Sequence, residues 1–252
     1  MKLFDLTGQR GLVVGGAGDL GFAMLEGLAE AGAAVVAIDI DDRVHVRADT
    51  LRAAGFTAHA LQVDIRNRAA IRQSVTDAVR LLGGDIDILV NAAGIQRRAP
   101  SETFAEADWD EVLSINLTAA FLYGQQVAPG MLARKRGKII NVGSIMSQFG
   151  GMTIPAYAAS KGGLAQLTKA FSNDWAAHGI CVNAIAPGYM DTQLNTALIS
   201  DAARSTEVML RTPAKRWGLP ADVKGVNVFL ASAASDFVTG AVIPVDGGYS
   251  SR

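Results

Sequence analysis

The chain alternates between short apolar runs and longer stretches in which apolar residues recur every three or four positions. Short apolar runs bounded by turn residues predict buried strands, and the longer spacing predicts amphipathic helices. The predicted strands cover residues 10–14, 34–38, 58–63, 86–90, 138–142, 180–185 and 241–245. Strands that alternate with helices form a parallel sheet covered on both faces. We therefore predict an α/β fold, a doubly wound parallel sheet of about seven strands with helices on both faces.

Nothing in the pattern divides the chain into separate units. No Pro/Gly linker, low-complexity tract or charge block interrupts it, so we predict a single domain over residues 1–252. A long helix is predicted over residues 108–132 and a last helix over 221–230. Residues 189–216 mix Met, Leu, Thr and Arg without a clear period, and we expect an irregular lid over the site there.

Composition narrows the class of protein. Half of the residues are apolar, with 27 Gly and only 7 Pro, which is typical of a globular protein. The net charge of −1 gives no support for a nucleic-acid partner. No run reaches the ~18 apolar residues of a membrane span, and the N-terminal residues show no secretory signal. The single cysteine, Cys181, is expected to be a buried thiol and fits a reducing compartment. We expect a cytoplasmic protein that binds neither membrane nor metal, since the histidines are scattered.

A glycine-rich loop follows the first predicted strand. Gly15-Gly16-Ala17-Gly18-Asp19-Leu20-Gly21 leads from that strand into a helical pattern, which is the Rossmann-type context of a dinucleotide site. Glycines let the backbone approach a pyrophosphate, and the helix N-terminus offers free N–H groups. The alternative is a glycine-rich turn that binds no ligand.

Two aspartates end the next two predicted strands. Asp39 lies 18 residues beyond Gly21, where a carboxylate can accept hydrogen bonds from the adenosine ribose and repel a 2′-phosphate. This position favours NAD over NADP, although Asp39 could instead cap a turn. Asp64 could accept a hydrogen bond from the adenine amino group or cap the helix that begins near Asn67.

The stretch after the fifth predicted strand carries the candidate chemistry. Tyr157 and Lys161 are four residues apart, so they share one face of a helix. A neighbouring ammonium lowers the pKa of a phenol from its usual value near ~10, which would make Tyr157 a usable proton donor or acceptor. Ser144 lies at the carboxyl end of the strand, where it could donate a hydrogen bond to a substrate oxygen. The alternative is a surface tyrosine packed on a lysine stem.

These motifs together resemble the short-chain dehydrogenase/reductase family over essentially the full length. The matching features are the glycine loop, Asn91-Ala92-Ala93-Gly94, Asn116, Ser144, Tyr157-x-x-x-Lys161, Pro187-Gly188 and Asp246-Gly247-Gly248. The resemblance implies that Tyr157 accepts the proton in alcohol oxidation and that Ser144 orients the substrate oxygen. It further implies that Lys161 binds the nicotinamide ribose and lowers the pKa of Tyr157, and that Asn116 positions a water in the proton relay.

The resemblance also implies the ligand contacts. The cofactor residues are Gly15, Gly18, Asp19, Leu20, Gly21, Asp39, Ile40, Asp64, Ile65, Asn91, Ala92, Ala93, Gly94, Tyr157, Lys161, Pro187, Gly188, Met190 and Thr192. The substrate residues are Ser144, Met146, Gln96, Arg97, Arg98 and Tyr157. The family pattern departs at two places: Val14 and Asp19 replace a Thr and the middle Gly of the loop, and Ala92 replaces an Asn.

A narrower likeness suggests the substrate. Residues 94–98, 185–190 and 216–220 look like sugar-acid members of the family, such as gluconate 5-dehydrogenases and 2-dehydro-3-deoxy-D-gluconate 5-dehydrogenases. We expect an NAD-dependent oxidoreductase that acts on a secondary alcohol or ketone of a sugar acid or polyol. A reductase of another carbonyl, such as a 3-oxoacyl thioester or cyclic ketone, and a non-catalytic dinucleotide-binding protein stay open.

Charge and surface patterns add two expectations. A basic group among Arg97, Arg98 and the lid residues Arg204, Arg211, Lys215 and Arg216 should bind the substrate's carboxylate, with at most one of the adjacent pair reaching it. Phe121, Leu122, Leu164 and Phe171 give two helices a second apolar face, which favours the homotetramer that the family implies. The alternative is a monomer in which loops cover those faces.

Overall fold

The structure, a computed structural model, describes residues 2–251 and shows one α/β domain. Met1 and Arg252, which the predicted domain includes, lie outside the described residues. Within residues 2–251 a single parallel sheet has seven strands in the order β3-β2-β1-β4-β5-β6-β7. The strands are β1 Arg10–Val14, β2 Ala34–Asp39, β3 Ala58–Gln62, β4 Ile88–Asn91, β5 Gly137–Val142, β6 Ile180–Pro187 and β7 Val242–Val245. The predicted fold class is confirmed.

Helices connect the strands and cover both faces of the sheet. They are α1 Asp19–Glu30, α2 Arg43–Ala53, α3 Arg68–Leu82, α4 Glu106–Leu113, α5 Ala119–Arg134, α6 Pro155–Trp175, α7 Thr196–Ser200, α8 Ala202–Arg211 and α9 Lys224–Ala231. Because strand side chains alternate between faces, Val35 packs with α1 and α2, whereas Val36 packs with α3 and α5. None of the described helices is long and apolar enough to cross a membrane.

The strand order reverses between β1 and β4, and this topology positions the site. Chain order runs outward from β1 in both directions, so the loops after β1 and β4 diverge and leave a crevice at the carboxyl edge. The glycine loop follows β1, and Asn91-Ala92-Ala93-Gly94 begins at the last residue of β4. The two segments that resemble a dinucleotide site therefore meet at this switch point.

The predicted long helix is helical throughout but not uniform. It runs from Glu106 to Arg134, and a π-helical turn over Ser114–Thr118 separates α4 from α5. Single π-helical turns inside helices occur frequently at functional sites. Asn116 lies at the centre of this turn, so the irregularity coincides with a predicted catalytic residue.

The prediction that residues 189–216 are irregular is wrong. This segment forms α7 and α8, preceded by a short 3₁₀ turn over Gln193–Asn195. Asp201 caps α8 by accepting hydrogen bonds from the N–H groups of Ala203 and Arg204, at 3.1 and 3.2 Å. Aspartate at this position is a helix-start signal. Ser205 is the only buried residue of α8, and Arg204, Glu207 and Arg211 line a cavity, so this helix lacks the core-facing apolar run by which the other helices were predicted.

Most of the residues that suggested a second apolar face are covered within the chain. Leu122, Leu164 and Phe171 are buried, and Phe171 stacks on Trp175 with ring centroids 4.2 Å apart. Only Phe121 of the four is exposed, at 39%. Three of the four residues that favoured a tetramer are therefore buried within the chain and cannot contact another subunit.

Candidate active site

A cavity of about 530 Å³ opens at the carboxyl edge of the sheet, beside the switch point. Its wall includes Ser144 and Met146 after β5, Tyr157 and Lys161 of α6, and Pro187 and Gly188 at the end of β6. The predicted residues Leu20, Ala92, Gly94, Gln96, Arg98, Met190 and Thr192 also line it. Most of the predicted chemistry is thus gathered at one place.

The glycine loop fits the approach of a phosphate group. Gly15 has a φ of +88°, and a Cβ there would lie 2.5 Å from the backbone nitrogen of Ala93, so only glycine packs against that segment. Gly18, in contrast, is exposed, and its nearest neighbour would be 3.5 Å from an added Cβ. The protein does not need glycine at position 18 for its own packing, so the bare backbone there leaves room for a ligand at the start of α1.

Asp19 is held by two partners outside the glycine loop. Its carboxylate accepts a hydrogen bond from the backbone N–H of Gln193, at 2.8 Å, and lies 3.7 Å from the guanidinium of Arg47. The negative charge is therefore turned toward the segment after β6 and toward a cation. This geometry explains how the loop accommodates an aspartate where the family usually has glycine.

Asp39 is fixed beside the glycine loop. Its carboxylate accepts hydrogen bonds from the backbone N–H groups of Ala17, at 3.0 Å, and Asp41, at 3.1 Å. The hydrogen bond from Asp41 caps the turn after β2. The hydrogen bond from Ala17 orients the carboxylate toward the glycine loop. A carboxylate has about four lone-pair sites, so it retains capacity for ribose hydroxyls. Ile40 follows it on the exposed surface.

Asp64 does not cap α3. Asn67 is the cap, because its side chain accepts hydrogen bonds from the N–H groups of Ala69 and Ala70, at 2.9 and 3.2 Å. Asp64 instead binds the backbone and guanidinium of Arg66, at 2.9 and 2.8 Å, and these contacts lower the pKa of the carboxyl group. Ile65 is half-buried between them.

Asn91 contributes its side-chain amide to a buried hydrogen-bond network. Its amide donates to Oδ1 of Asn141, at 2.9 Å, and Asn141 donates in turn to Thr168, at 2.9 Å. All three side chains are buried between β4, β5 and α6. The amide nitrogen is thus used inside the fold, whereas Oδ1 of Asn91 is buried without a hydrogen-bond partner, and the role of Asn91 beside the adenosine stays a prediction.

Ser144 and Tyr157 contact each other at the cavity. Ser144 is buried at the end of β5, and its hydroxyl accepts a hydrogen bond from the N–H of Met146, at 3.1 Å. The Ser147 hydroxyl accepts from the backbone N–H of Ser144, at 3.3 Å, and completes a capping box that fixes the serine. The Ser144 side chain also lies close enough to the phenol of Tyr157 to lower its pKa. The two oxygens are therefore placed to share a substrate oxygen.

Lys161 is a buried cation beneath the tyrosine. The residue is only 3% exposed, and its ammonium donates to the carbonyl oxygen of Val142, at 2.6 Å. Burial lowers the pKa of Lys161 from 10.5 to about 8. The nitrogen lies 5.7 Å from the ring centroid of Tyr157, on the same helix face as predicted.

The predicted fall in the pKa of Tyr157 is wrong for this structure. Burial raises the pKa of Tyr157, whereas the hydrogen bond with Ser144 and the positive charge of Arg98 act in the opposite direction. Lys161 is held by the Val142 carbonyl and does not supply the lowering that its spacing suggested. The phenol therefore holds its proton at neutral pH, which is the form that donates to a carbonyl oxygen.

Asn116 connects three parts of the site. Its side chain accepts from the N–H of Ile95, at 2.9 Å, and donates to the Ile95 carbonyl, at 3.0 Å, and to the hydroxyl of Ser160, at 3.1 Å. Ser160 is buried on α6 and donates to the carbonyl of Tyr157, at 2.8 Å. A Cβ on Gly94 would lie 3.5 Å from the Lys161 nitrogen and 3.6 Å from Asn116, so a small residue keeps this corner open.

The two adjacent arginines point different ways, as predicted. Arg98 lines the cavity and donates to the side chain of Gln96, at 3.3 Å. Arg97 pairs with Glu111, at 2.7 Å, and lies 3.6 Å from Asp108. Arg97 therefore does not line the cavity in this structure, because Asp108 and Glu111 of α4 hold its guanidinium elsewhere.

Sequence reasoning missed several residues of the cavity wall. They are Phe149, Tyr189, Asn195, Leu198, Glu207, Val208 and Tyr249. Tyr249 follows directly on the matched Asp246-Gly247-Gly248, and that adjacency could have drawn attention to it. Phe149 follows β5, and the other five come from the segment over residues 189–216 that was predicted to be irregular.

Comparisons with known proteins agree with this geometry. The sequence model described as "Enoyl-(Acyl carrier protein) reductase" matches residues 15–250. The chain belongs to the short-chain dehydrogenase/reductase family. It is an oxidoreductase that acts on CH–OH groups with a nicotinamide dinucleotide.

Similar members of the family carry sugar-acid names. The chain is 43% identical over 253 residues to the 2-dehydro-3-deoxy-D-gluconate 5-dehydrogenase of Escherichia coli (strain K12), covering 100% of this chain and 99% of that relative. It is 41% identical over 251 residues to the gluconate 5-dehydrogenase of Gluconobacter oxydans (strain 621H), covering 98% and 96%. A crystal structure of a gluconate 5-dehydrogenase from Burkholderia cenocepacia J2315 in complex with NADP and tartrate has 45% identity and a TM-score of 0.95, covering 100% of this chain and 98% of that chain.

Proposed function

We propose that this protein is an NAD-dependent dehydrogenase of a sugar acid, which interconverts a secondary alcohol and a ketone. The observation that carries the proposal is the cavity: Ser144 and Tyr157 face a space whose wall holds the guanidinium groups of Arg98, Arg204 and Arg211. Only one carboxylate side chain, Glu207, lines the same cavity among the described residues. A cationic cavity beside a proton-transfer pair favours an anionic substrate, and the names of the similar relatives support a sugar acid.

The chain's own residues divide the work of catalysis. Tyr157 exchanges the proton with the substrate oxygen, and Ser144 donates a hydrogen bond that orients this oxygen. Lys161 binds the ribose next to the nicotinamide. Asn116 and Ser160 position the helix that carries Tyr157 relative to the segment at Ile95 through their hydrogen bonds. The bound nicotinamide supplies the hydride acceptor for oxidation or the donor for reduction.

The negative charge of Asp39 supports NAD over NADP. The carboxylate lies at the end of β2, held by the loop N–H of Ala17. A 2′-phosphate at this position would lie against a fixed anion, whereas ribose hydroxyls can donate to it. The structure of the Burkholderia relative contains NADP, so membership of the family does not by itself imply NAD. The preference for NAD proposed here rests on Asp39.

The wider setting of the enzyme follows the same reasoning. We propose that residues 189–216 act as a lid, because α7 and α8 contribute Leu198, Arg204 and Arg211 to the cavity wall. We also propose a cytoplasmic homotetramer, for which the exposed Phe121 is one contact surface.

The experiment is a turnover screen that follows NADH absorbance. Sugar acids, their neutral polyols, 3-oxoacyl thioesters and cyclic ketones are each offered with NAD(H) and with NADP(H). We expect the highest kcat/KM for a sugar acid with NAD(H). A preference for the thioester or the cyclic ketone would contradict the proposal, and no turnover of any compound would favour a non-catalytic dinucleotide-binding protein.

A further inference from the structure

The cavity holds arginines without a carboxylate partner among residues 2–251. The lid's Arg216 pairs with Asp222, at 2.6 Å, and Lys215 donates to the carbonyl of Leu210, at 2.8 Å. Arg98, Arg204 and Arg211 form no ion pair within the described part of the chain, and all three line the cavity. Of the six basic residues near the site, Arg97, Lys215 and Arg216 are bonded outside the cavity. The other three line the cavity without an ion-pair partner in the described chain and are the free arginines, although Arg98 donates to the Gln96 side chain.

Arg211 is the most firmly oriented of the three free arginines. Its guanidinium lies 4.2 Å from the ring centroid of Tyr249 and 6.0 Å from that of Phe149. Stacking on an aromatic face fixes the plane of a guanidinium while its edge N–H groups stay available for a planar anion. Phe149 follows β5 and Tyr249 lies near the C-terminus, so two distant segments of the chain converge on this one side chain.

Other aromatic residues hold the Tyr249 ring in place beside Arg211. Tyr249 is buried and packs against Tyr189, with ring centroids 5.1 Å apart and planes at 61°. Tyr189 packs in turn on Trp217, at 5.9 Å, and Trp217 donates to the hydroxyl of Ser205 on α8, at 3.0 Å. The helix that carries Arg211 is thus tied to the same aromatic cluster, which limits how far the guanidinium can move.

The other two free arginines are placed differently. All three are exposed, so their surroundings rather than their burial distinguish them. Arg98 lies close enough to the reacting phenol that its charge acts on the pKa of Tyr157. Arg204 lies on α8, two turns before Arg211, and no aromatic ring stacks on it among the described residues. Arg98 therefore lies at the reacting end of the cavity, whereas only Arg211 combines a fixed plane with a free edge.

We propose that Arg211 binds the carboxylate of the substrate and thereby makes the enzyme prefer a sugar acid over the corresponding neutral polyol. This inference rests on the proposed function and deepens it. Arg211 holds the acid end, while Ser144 and Tyr157 hold the hydroxyl that reacts. Because Arg211 is the last residue of α8, binding of the carboxylate also ties the lid segment to the substrate.

The test compares matched substitutions on D-gluconate and on D-sorbitol, its neutral polyol counterpart. Arg211→Met keeps a long stem but removes the charge and the fork. We expect it to lower kcat/KM on gluconate about ten- to a hundred-fold, chiefly through KM, since a charge-assisted hydrogen bond is lost. Activity on sorbitol should stay within about three-fold. Arg211→Lys keeps the charge without the planar fork and should fall between the wild type and Arg211→Met.

Two further variants serve as controls. Arg216→Met makes the same change at a lid arginine whose guanidinium is bound to Asp222, and it should alter neither activity by more than about three-fold, since exposed ion pairs contribute little. Arg98→Met tests the competing ligand. If Arg98→Met loses activity on gluconate selectively while Arg211→Met does not, Arg98 is the carboxylate ligand and the inference is overturned. If Arg211→Met lowers kcat/KM equally on gluconate and on sorbitol, the inference is likewise overturned, since such a result indicates a structural role.

A binding measurement separates this inference from the proposed function. Gluconate is titrated calorimetrically into the wild type and Arg211→Met, each with NADH present and with a confirmed circular dichroism spectrum. If the wild type turns over no sugar acid but binds gluconate more tightly than Arg211→Met, the proposed function fails and the assignment of Arg211 stands. Equal binding to both proteins, or no binding to the wild type, overturns the assignment. If Arg211→Met does not fold, Arg211→Lys takes its place in the same titration.

Discussion

The burial of Lys161 predicts a dependence of stability on pH that can be measured without any ligand. The unfolded chain takes up the lysine proton below pH 10.5, whereas the folded protein takes it up only below about 8. Between these values the unfolded state binds more protons, so the stability of the wild type rises with pH. The destabilisation is nearly complete at pH 7 and disappears as the pH rises through 10.5. Lys161→Met lacks this proton and should not show the rise.

The magnitude follows from the same two pKa values. Each tenfold change in proton affinity corresponds to about 1.4 kcal/mol, so the pKa falling from 10.5 to about 8 destabilises the folded wild type by about 3 kcal/mol at pH 7. Near pH ~9.5 the same two values leave about 1 kcal/mol. The substitution also removes the hydrogen bond to Val142, which costs about 1–3 kcal/mol at every pH. At pH 7 these two effects oppose each other, so the free energy of unfolding of Lys161→Met differs little from that of the wild type. This difference should change by about 2 kcal/mol between pH 7 and pH ~9.5.

Urea unfolding followed by tryptophan fluorescence provides the assay. Wild type and Lys161→Met are compared without cofactor at pH 7.0 and at about 9.5, at one protein concentration because assembly contributes to stability. Lys169→Met is the matched control, since Lys169 is an exposed lysine two turns further along α6. We expect the free energy of unfolding of Lys161→Met, relative to the wild type, to fall by about 2 kcal/mol on going to the higher pH. A difference that is independent of pH, or that moves in the opposite direction, would refute the reasoning.

Three other predictions test the site and the assembly. Tyr157→Phe should lose most turnover, at least about a hundred-fold, while NADH titration by fluorescence shows nearly unchanged binding, since only the transferable proton is removed. Near-normal kcat would show that another group is the acid. Asp39→Ala should narrow the ratio of kcat/KM between NAD and NADP, because the fixed anion beside the loop is lost; a wild type that prefers NADP would contradict the assignment. Light scattering should give about four times the chain mass of 26.3 kDa, and the mass of one chain would decide for a monomer.

The sequence predicted the features that depend on local pattern. Apolar runs such as residues 138–142 form buried parallel strands, so periodicity alone places the sheet and its carboxyl edge. The order of β1 and β4 then brings the glycine loop to the segment after β4. Ser144, Tyr157 and Lys161 meet because a strand end and the following helix face fix them within one short stretch.

Features that depend on long-range contacts could not be predicted in the same way. Spacing placed Lys161 near Tyr157, but the carbonyl of Val142 holds the ammonium, and burial then reverses the expected change in the pKa of the phenol. The pairing of Arg97 with Glu111 depends on where α4 packs, 14 residues away along the chain. Neither contact can be predicted from the local sequence pattern, since each depends on which partner the fold brings closest.

Asp19 shows how a departure from a family pattern becomes intelligible once the distant partner is known. An anion in a phosphate-binding loop is unfavourable if its charge faces the loop, and the sequence supplies no partner nearby. In the structure its carboxylate reaches 174 residues along the chain to the N–H of Gln193, while Arg47 stacks on Phe22 and faces the same carboxylate. The residue that interrupts the glycine pattern thus joins the cofactor loop to the start of the segment that carries Arg211. In the proposed arrangement, where the glycine loop binds the dinucleotide and Arg211 binds the acid end of the substrate, this hydrogen bond connects the two ligand-binding segments.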